Sequence, residues 1–110
     1  MTKSLSYNAA LVLQTIANGH GYGFEIMRTT DLPSGTVYPI LRRLEAGGLV
    51  ESSWEDPGRA HEKGRPPRCY YRPTPQAASE LAEARERLAR QQAHFGLSAR
   101  PAAEGGGGDR

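Results

Sequence analysis

Cysteine is almost absent from this chain of 110 residues: Cys69 stands alone, so no internal disulfide staples the fold. A lone thiol suits a reducing compartment. No apolar run approaches the roughly 20 residues that span a bilayer, and the N-terminus lacks the charged and hydrophobic arrangement of a signal. The chain is therefore expected in the cytoplasm, without a membrane partner. Histidine is scarce, and His20, His61, His94 and Cys69 show no metal-ligand spacing. No Ser/His/Asp or paired-carboxylate arrangement stands out, and Gly19-x-Gly-x-Gly has no strand before it to form a nucleotide loop. The expectation is a protein that is not an enzyme and holds no metal or cofactor. Charge of one sign is lacking as well, because 14 basic and 12 acidic residues leave a formal charge of only +2. That total is too small to point to a polyanion by itself.

What the chain does have is a short segment with two faces. In Gly35-Thr36-Val37-Tyr38-Pro39-Ile40-Leu41-Arg42-Arg43-Leu44-Glu45, closed by Gly47-Gly48, the residues Val37, Ile40, Leu41 and Leu44 recur at i, i+3, i+4 and i+7. They form an apolar stripe that docks on a core, while Thr36, Tyr38, Arg42 and Arg43 project elsewhere. The helix is expected to begin near Ser34 to Thr36, with Pro39 close enough to its start for the missing N–H to cost little. A small, polar, donor-rich first turn suits the approach of a helix N-terminus to a phosphate or to a base edge in the major groove. A plain amphipathic core helix with a solvated basic face would look the same, so the flanking residues decide.

Upstream, Ser4 or Ser6 is placed to cap a helix in which Ala9, Val12, Leu13 and Ile16 repeat at helical spacing and which stops at Asn18-Gly19. A second helix is expected from about Tyr22 to Thr29, with Gly23, Ile26 and Met27 facing inward and Glu25 and Arg28 facing out. Asp31-Leu32-Pro33-Ser34-Gly35 is the turn into the third. Two short helices across such a turn read as a helix-turn-helix. Downstream, Leu49 to Trp54 and Arg68 to Arg72 carry strand-forming residues and are separated by a loop rich in Gly, Pro and charge, so they read as a hairpin with a long tip. The fold class expected is mainly α with a small β-hairpin, a winged helix-turn-helix of three helices and a two-stranded wing. From Gly58 to Arg72, moreover, five cations (Arg59, Lys63, Arg65, Arg68 and Arg72) face only Glu62 among the acids. A basic loop beside a basic helix has the electrostatic footprint of a nucleic-acid backbone site, although a merely solubilising loop would also be basic.

Several segments taken together resemble a known family. Gly21-Tyr22-Gly23-Phe24-Glu25-Ile26, Leu32 through Glu45, Gly48-Leu49-Val50, Gly64-Arg65-Pro66 and Tyr70-Tyr71-Arg72-Pro73-Thr74 are similar, in order and spacing, to the PadR family of bacterial transcriptional regulators. The chain departs from that pattern at Pro73, where the family often has an aliphatic residue, and at Ala77, where it often has Gly. The resemblance implies a homodimeric, repressor-like protein whose third helix enters the major groove of double-stranded DNA and whose wing reaches the neighbouring backbone or minor groove. It also implies a small-molecule effector and a dimerisation helix after the wing. The candidate DNA-binding residues are Tyr22, Ser34, Gly35, Thr36, Tyr38, Pro39, Arg42, Arg43, Lys63, Arg65 and Arg68.

The residues support the last helix independently. Thr74-Pro75 reads as an N-cap followed by Pro at the first helical position. Ala77, Leu81, Ala84, Leu88, Gln91 and Phe95 then alternate steps of four and three, the period of a helix-helix seam. Ala77, Leu81, Ala84, Leu88 and Phe95 are therefore the candidate dimerisation residues, packing on the first helix of a partner. The same stripe would serve equally for one helix folding back on its own domain. The expected organisation is residues 1–74 as the winged-helix domain, 75–96 as the dimerisation helix and 97–110 as a flexible tail ending in four glycines, Asp and Arg. Two functions of different class remain. One is a sequence-specific transcriptional regulator that binds an inverted-repeat operator. The other is a winged-helix module for protein contact, which would expose an apolar patch on the face that a DNA reader keeps polar. Cys69 reads either as a space-filling strand residue or, beside Arg68, as a redox-sensitive thiol.

Overall fold

The computed structural model describes residues 4–96, so the expected tail lies outside the described residues. Helix α1 (Tyr7–Ala17) starts where the Ser6 hydroxyl accepts the Ala9 N–H at 3.1 Å, one of the two caps expected. It stops at Asn18, followed by Gly19 in the left-handed region (φ 100°), a conformation that costs glycine little. Helix α2 (Gly23–Thr30) ends on Asp31, which itself takes the left-handed conformation. Helix α3 (Ser34–Ala46) follows after three residues. Its start agrees with the expected range, but Pro39 falls in the second turn rather than the first. The Gly35 carbonyl thereby loses its i+4 donor, and the loss is tolerable because Gly35 is exposed and water can reach that carbonyl.

Strand β1 (Val50–Trp54) pairs antiparallel with β2 (Cys69–Pro73), in register from Val50 opposite Pro73 to Trp54 opposite Cys69. The segment between them is not simply a loop. Asp56 accepts the Arg59 N–H at 3.1 Å and caps a short helix α4 (Pro57–Glu62), whose Ala60 is fully buried. Asp-Pro-Gly reads as a turn, yet an acid before a proline is equally an N-cap before the first helical residue, and here the helical choice prevails. Residues 21 and 22 add a fragment of third strand. Tyr22 bridges Tyr70, and the Tyr71 N–H donates to the Gly21 carbonyl at 2.7 Å. A Cβ on Gly21 would sit 2.6 Å from the Tyr71 carbonyl oxygen, so this approach requires glycine.

One apolar core joins these elements. Val12, Leu13 and Ile16 of α1, Ile26 of α2, Val37, Ile40, Leu41 and Leu44 of α3, and Leu49 and Val50 are all buried. The third-helix stripe and three of the four first-helix positions thus face inward as expected, Ala9 being only half-buried while Ala10 is buried.

Helix α5 (Pro75–His94) corrects one expectation. Ala77, Leu81 and Ala84 are 2%, 5% and 1% exposed within a single chain and belong to its core. The seam assigned to a partner is used first by the protein's own α1, because a core of this size has few other apolar surfaces to cover it. Leu88 packs at the edge of the same core, whereas Phe95 is 74% exposed. Polar contacts follow the same path, with Arg85 donating to the Gln14 side chain at 2.7 Å and Arg87 to the Leu5 carbonyl. Thr74 occupies the N-cap position without capping. Its hydroxyl donates to the Gly48 carbonyl at 2.6 Å and ties the start of α5 to the corner after α3.

Two outcomes follow from this packing. Leu81→Ala removes a side chain from the chain's own core and is expected to cost about 2–5 kcal/mol of unfolding free energy. Denaturant titration reads it, and an unchanged midpoint would put Leu81 outside the core. Burial, aided by the adjacent Cys69 thiol, pushes the Tyr71 phenol up to about 12. The unfolded phenol ionises near 10, so this contribution to stability is complete below that pH and is lost as pH rises from about 10 towards the folded value. Tyr71→Phe should flatten that alkaline loss and remove one late step from the tyrosinate absorbance titration. Retention of the step would place the late phenol elsewhere.

Candidate nucleic-acid interface

Successive residues of a helix are turned by about 100°, so the buried stripe of α3 dictates what the opposite side presents. Gly35, Tyr38 and Arg42 lie on that opposite side and are exposed, Tyr38 at 41%. Ser34 is exposed at the helix start, and Thr36 and Pro39 are half-buried. Pro33 at the N-cap position supplies no side-chain acceptor. The N–H groups of Ser34 and Gly35 therefore remain as donors at the positive end of the helix dipole, an arrangement that favours an anion. Arg43 is exposed but turned a further quarter-circle round the helix. It borders a separate groove of about 320 Å³ with Leu5, Ser6 and Gln76, so α3 does not bring Arg42 and Arg43 to one place.

The start of α3 is held against the start of α2 with no spare room. A Cβ at Gly23 would overlap the Tyr38 phenol oxygen. Tyr22, the residue before Gly23, meets Tyr70 of the wing edge to face with ring centroids 5.5 Å apart. The Arg68 guanidinium lies 4.1 Å from the Tyr22 ring centroid, within cation–π range. Its Nη1 is 3.5 Å from the Tyr70 hydroxyl. Between α2, α3 and the wing runs a cleft of about 520 Å³ lined by Tyr22, Phe24, Tyr38, Trp54, Arg68 and their neighbours. Of the proposed DNA-facing residues, the fold thus gathers Tyr22, Tyr38, Arg65 and Arg68 about one cleft, with Arg42 one turn beyond Tyr38.

The wing is less basic than its sequence. Arg65 grips Glu55 through both terminal nitrogens, Nη1 to Oε1 at 2.5 Å and Nη2 to Oε2 at 3.0 Å. The two side chains are only 22% and 10% exposed. Those hydrogen bonds hold the Glu55 carboxyl below the usual carboxylate range, against the desolvation that would raise it. The same pairing raises Arg65 further. Arg65 is therefore not an outstretched wing cation. Arg72 faces Glu51 across the ladder at 3.7 Å, an exposed pair of little strength. Among the described residues, Arg42, Arg43, Arg59, Lys63 and Arg68 have no acidic partner within salt-bridge distance. The window from Gly58 to Arg72 missed Glu55 and Glu51 because the hairpin, not adjacency in sequence, brings them to the loop.

Two aromatic residues at the cleft were not among the expected site residues. Phe24 is 58% and Trp54 71% exposed. The sequence carries a signal for Trp54, since Glu51, Ser52 and Ser53 before it are polar, and in the structure every residue of β1 after Val50 is exposed. Cys69, opposite Trp54, is a half-buried free thiol. No group of three or more potential metal ligands occurs among the described residues, and no helix there is long and apolar enough to cross a membrane.

Comparisons with known proteins agree with this architecture. Residues 12–83 match the Transcriptional regulator PadR-like family. Among solved structures, a PadR family transcriptional regulator from Eggerthella lenta is 29% identical, with 80% of this chain and 77% of that chain covered and a TM-score of 0.66. A transcriptional regulator from Clostridium thermocellum (22% identity, 86% and 94% covered, TM-score 0.68) shares the fold. So does a PadR family transcription regulator from Clostridium difficile (21%, 82% and 98%, 0.68). Comparison with curated proteins gave no match. The match along most of the winged helix and the start of α5 establishes that this chain belongs to the PadR-like family of transcriptional regulators.

Proposed function

We propose that the protein reads a specific double-stranded DNA operator as a homodimer and represses transcription from it. The observation that carries this reading is the gathering of Tyr38, Arg42 and the α3 N-terminus on one helix side, with Arg68 across the adjoining cleft. Such a surface fits a duplex. The helix enters the major groove, where Arg42 is long enough to reach a guanine edge with two hydrogen bonds, and Arg68 and Lys63 meet the backbone beside it. Lys63 is exposed at the C-cap of α4, well placed for phosphate.

The dimer surface is proposed at the far end of α5. A helix of 20 residues is about 30 Å long against about 16 Å for the 11 residues of α1, and residues 89–96 are all exposed. That overhang, with Phe95 at its end, replaces Ala77, Leu81 and Ala84 as the surface offered to a second copy. Ala77 and Ala84 are packed in the chain's own core, which supports placing any small-molecule effector away from them.

The protein-contact reading keeps one observation in its favour, the exposed Phe24 and Trp54 at the cleft mouth. Genomic fragment capture followed by footprinting separates the two. A DNA reader should protect an inverted repeat whose half-site centres lie about 34 Å apart, or a multiple of that. Arg42→Ala should then weaken binding by about 1–3 kcal/mol per half-site, with the loss concentrated at one base position. Equal weakening on every sequence would make Arg42 a backbone contact. Absence of any protected fragment would favour the protein partner.

A further inference from the structure

Of the two arginines at the base of the wing, the geometry points to Arg68 as the one that meets the DNA backbone and to Arg65, with Glu55, as a positioning pair that holds Arg68 in place. The inference rests on the DNA-binding reading above and assigns roles within it. Arg65 and Glu55 are ten residues apart, and between them lies all of α4. Their fork-to-carboxylate contact closes the base of that excursion. Glu55 also governs the Arg68 backbone, since its N–H donates to the Arg68 carbonyl at 2.7 Å and its Oε1 accepts the Arg68 N–H at 3.4 Å. One carboxylate thus holds both the loop and the residue that follows it.

The Arg68 side chain then leaves the wing in a fixed direction. Tyr22 supplies a ring face 4.1 Å away, and Tyr22 is itself fastened by its bridge and edge contact to Tyr70. No acid lies within salt-bridge distance of Arg68 among the described residues, so its charge remains available. Arg65 is different in kind, because Glu55 both balances its charge and occupies both terminal nitrogens. A compensated cation releases few counterions on meeting a phosphate, whereas each uncompensated one adds about 0.9 to the salt slope of binding. Holding Arg68 in advance spares the ordering of a flexible side chain, which is worth about two- to tenfold in affinity.

The test is salt-dependent binding of the captured operator to wild type, Arg65→Lys, the charge-neutral pair Glu55→Gln/Arg65→Gln, and Arg68→Ala, with melting of each variant to verify folding. Arg68→Ala should make the salt slope shallower by about one per wing. Arg65→Lys keeps the charge but loses the planar fork, so it should bind about two- to tenfold more weakly with the wild-type slope, and the neutral pair should behave alike. Arg65→Lys that binds as wild type, or a neutral pair whose slope falls as far as that of Arg68→Ala, overturns the division of roles and makes Arg65 a phosphate contact. Wild-type protein that binds no duplex with a salt slope overturns the DNA reading itself, a result distinguishable from the others because it precedes every substitution.

Discussion

Gly21 and Gly23 hold the two outward elements of this protein to a common reference. Gly21 lets the β2 backbone approach until the Tyr71 N–H reaches its carbonyl, and Gly23 leaves the space that the Tyr38 phenol occupies. The start of α2 is thereby registered against the wing on one side and α3 on the other. Side chains at either position would push one element away and open the cleft between them. The apolar core beneath supplies stability, but these two approaches decide where Tyr38, Arg42 and Arg68 stand relative to one another. In the proposed DNA-binding reading, a surface that meets a helical groove and its neighbouring backbone together depends on that spacing.

Charge on this surface is selected rather than accumulated. The wing brings five basic residues between Gly58 and Arg72, yet the hairpin sets Glu55 against Arg65 and Glu51 against Arg72. What remains on the wing is Arg59, Lys63 and Arg68, of which Arg68 lines the cleft with its aromatic residues. Such a set suits a modest electrostatic component combined with directional contacts, because a chain of net charge +2 cannot rely on bulk attraction to a polyanion.

Much of the architecture is legible in residue spacing. Val37, Ile40, Leu41 and Leu44 had to share a face, and Ser6 and Asn18-Gly19 bound the first helix through local hydrogen bonding and backbone freedom alone. The short helix α4 was not legible, because Asp56-Pro57-Gly58 serves a turn and a capped helix equally well, and only the burial of Ala60 favours the helix. The α5 stripe was readable as a stripe. Its partner was not, since period 3.5 states that a face is apolar and says nothing about which chain covers it.

The site divides along the same line. Sequence by itself determined that α3 carries an apolar side and a basic side, that the hairpin loop is cationic and that the last helix has a face to bury, because periodicity and composition are properties of neighbours along the chain. Only the tertiary structure decided that Arg43 turns to another groove, that Glu55 claims Arg65, that Tyr22 carries Arg68, and that Ala77, Leu81 and Ala84 are covered by α1 of the same chain. Each of these joins residues from different elements. Their distance in sequence carries no information about their distance in space until the core has fixed how the elements lie.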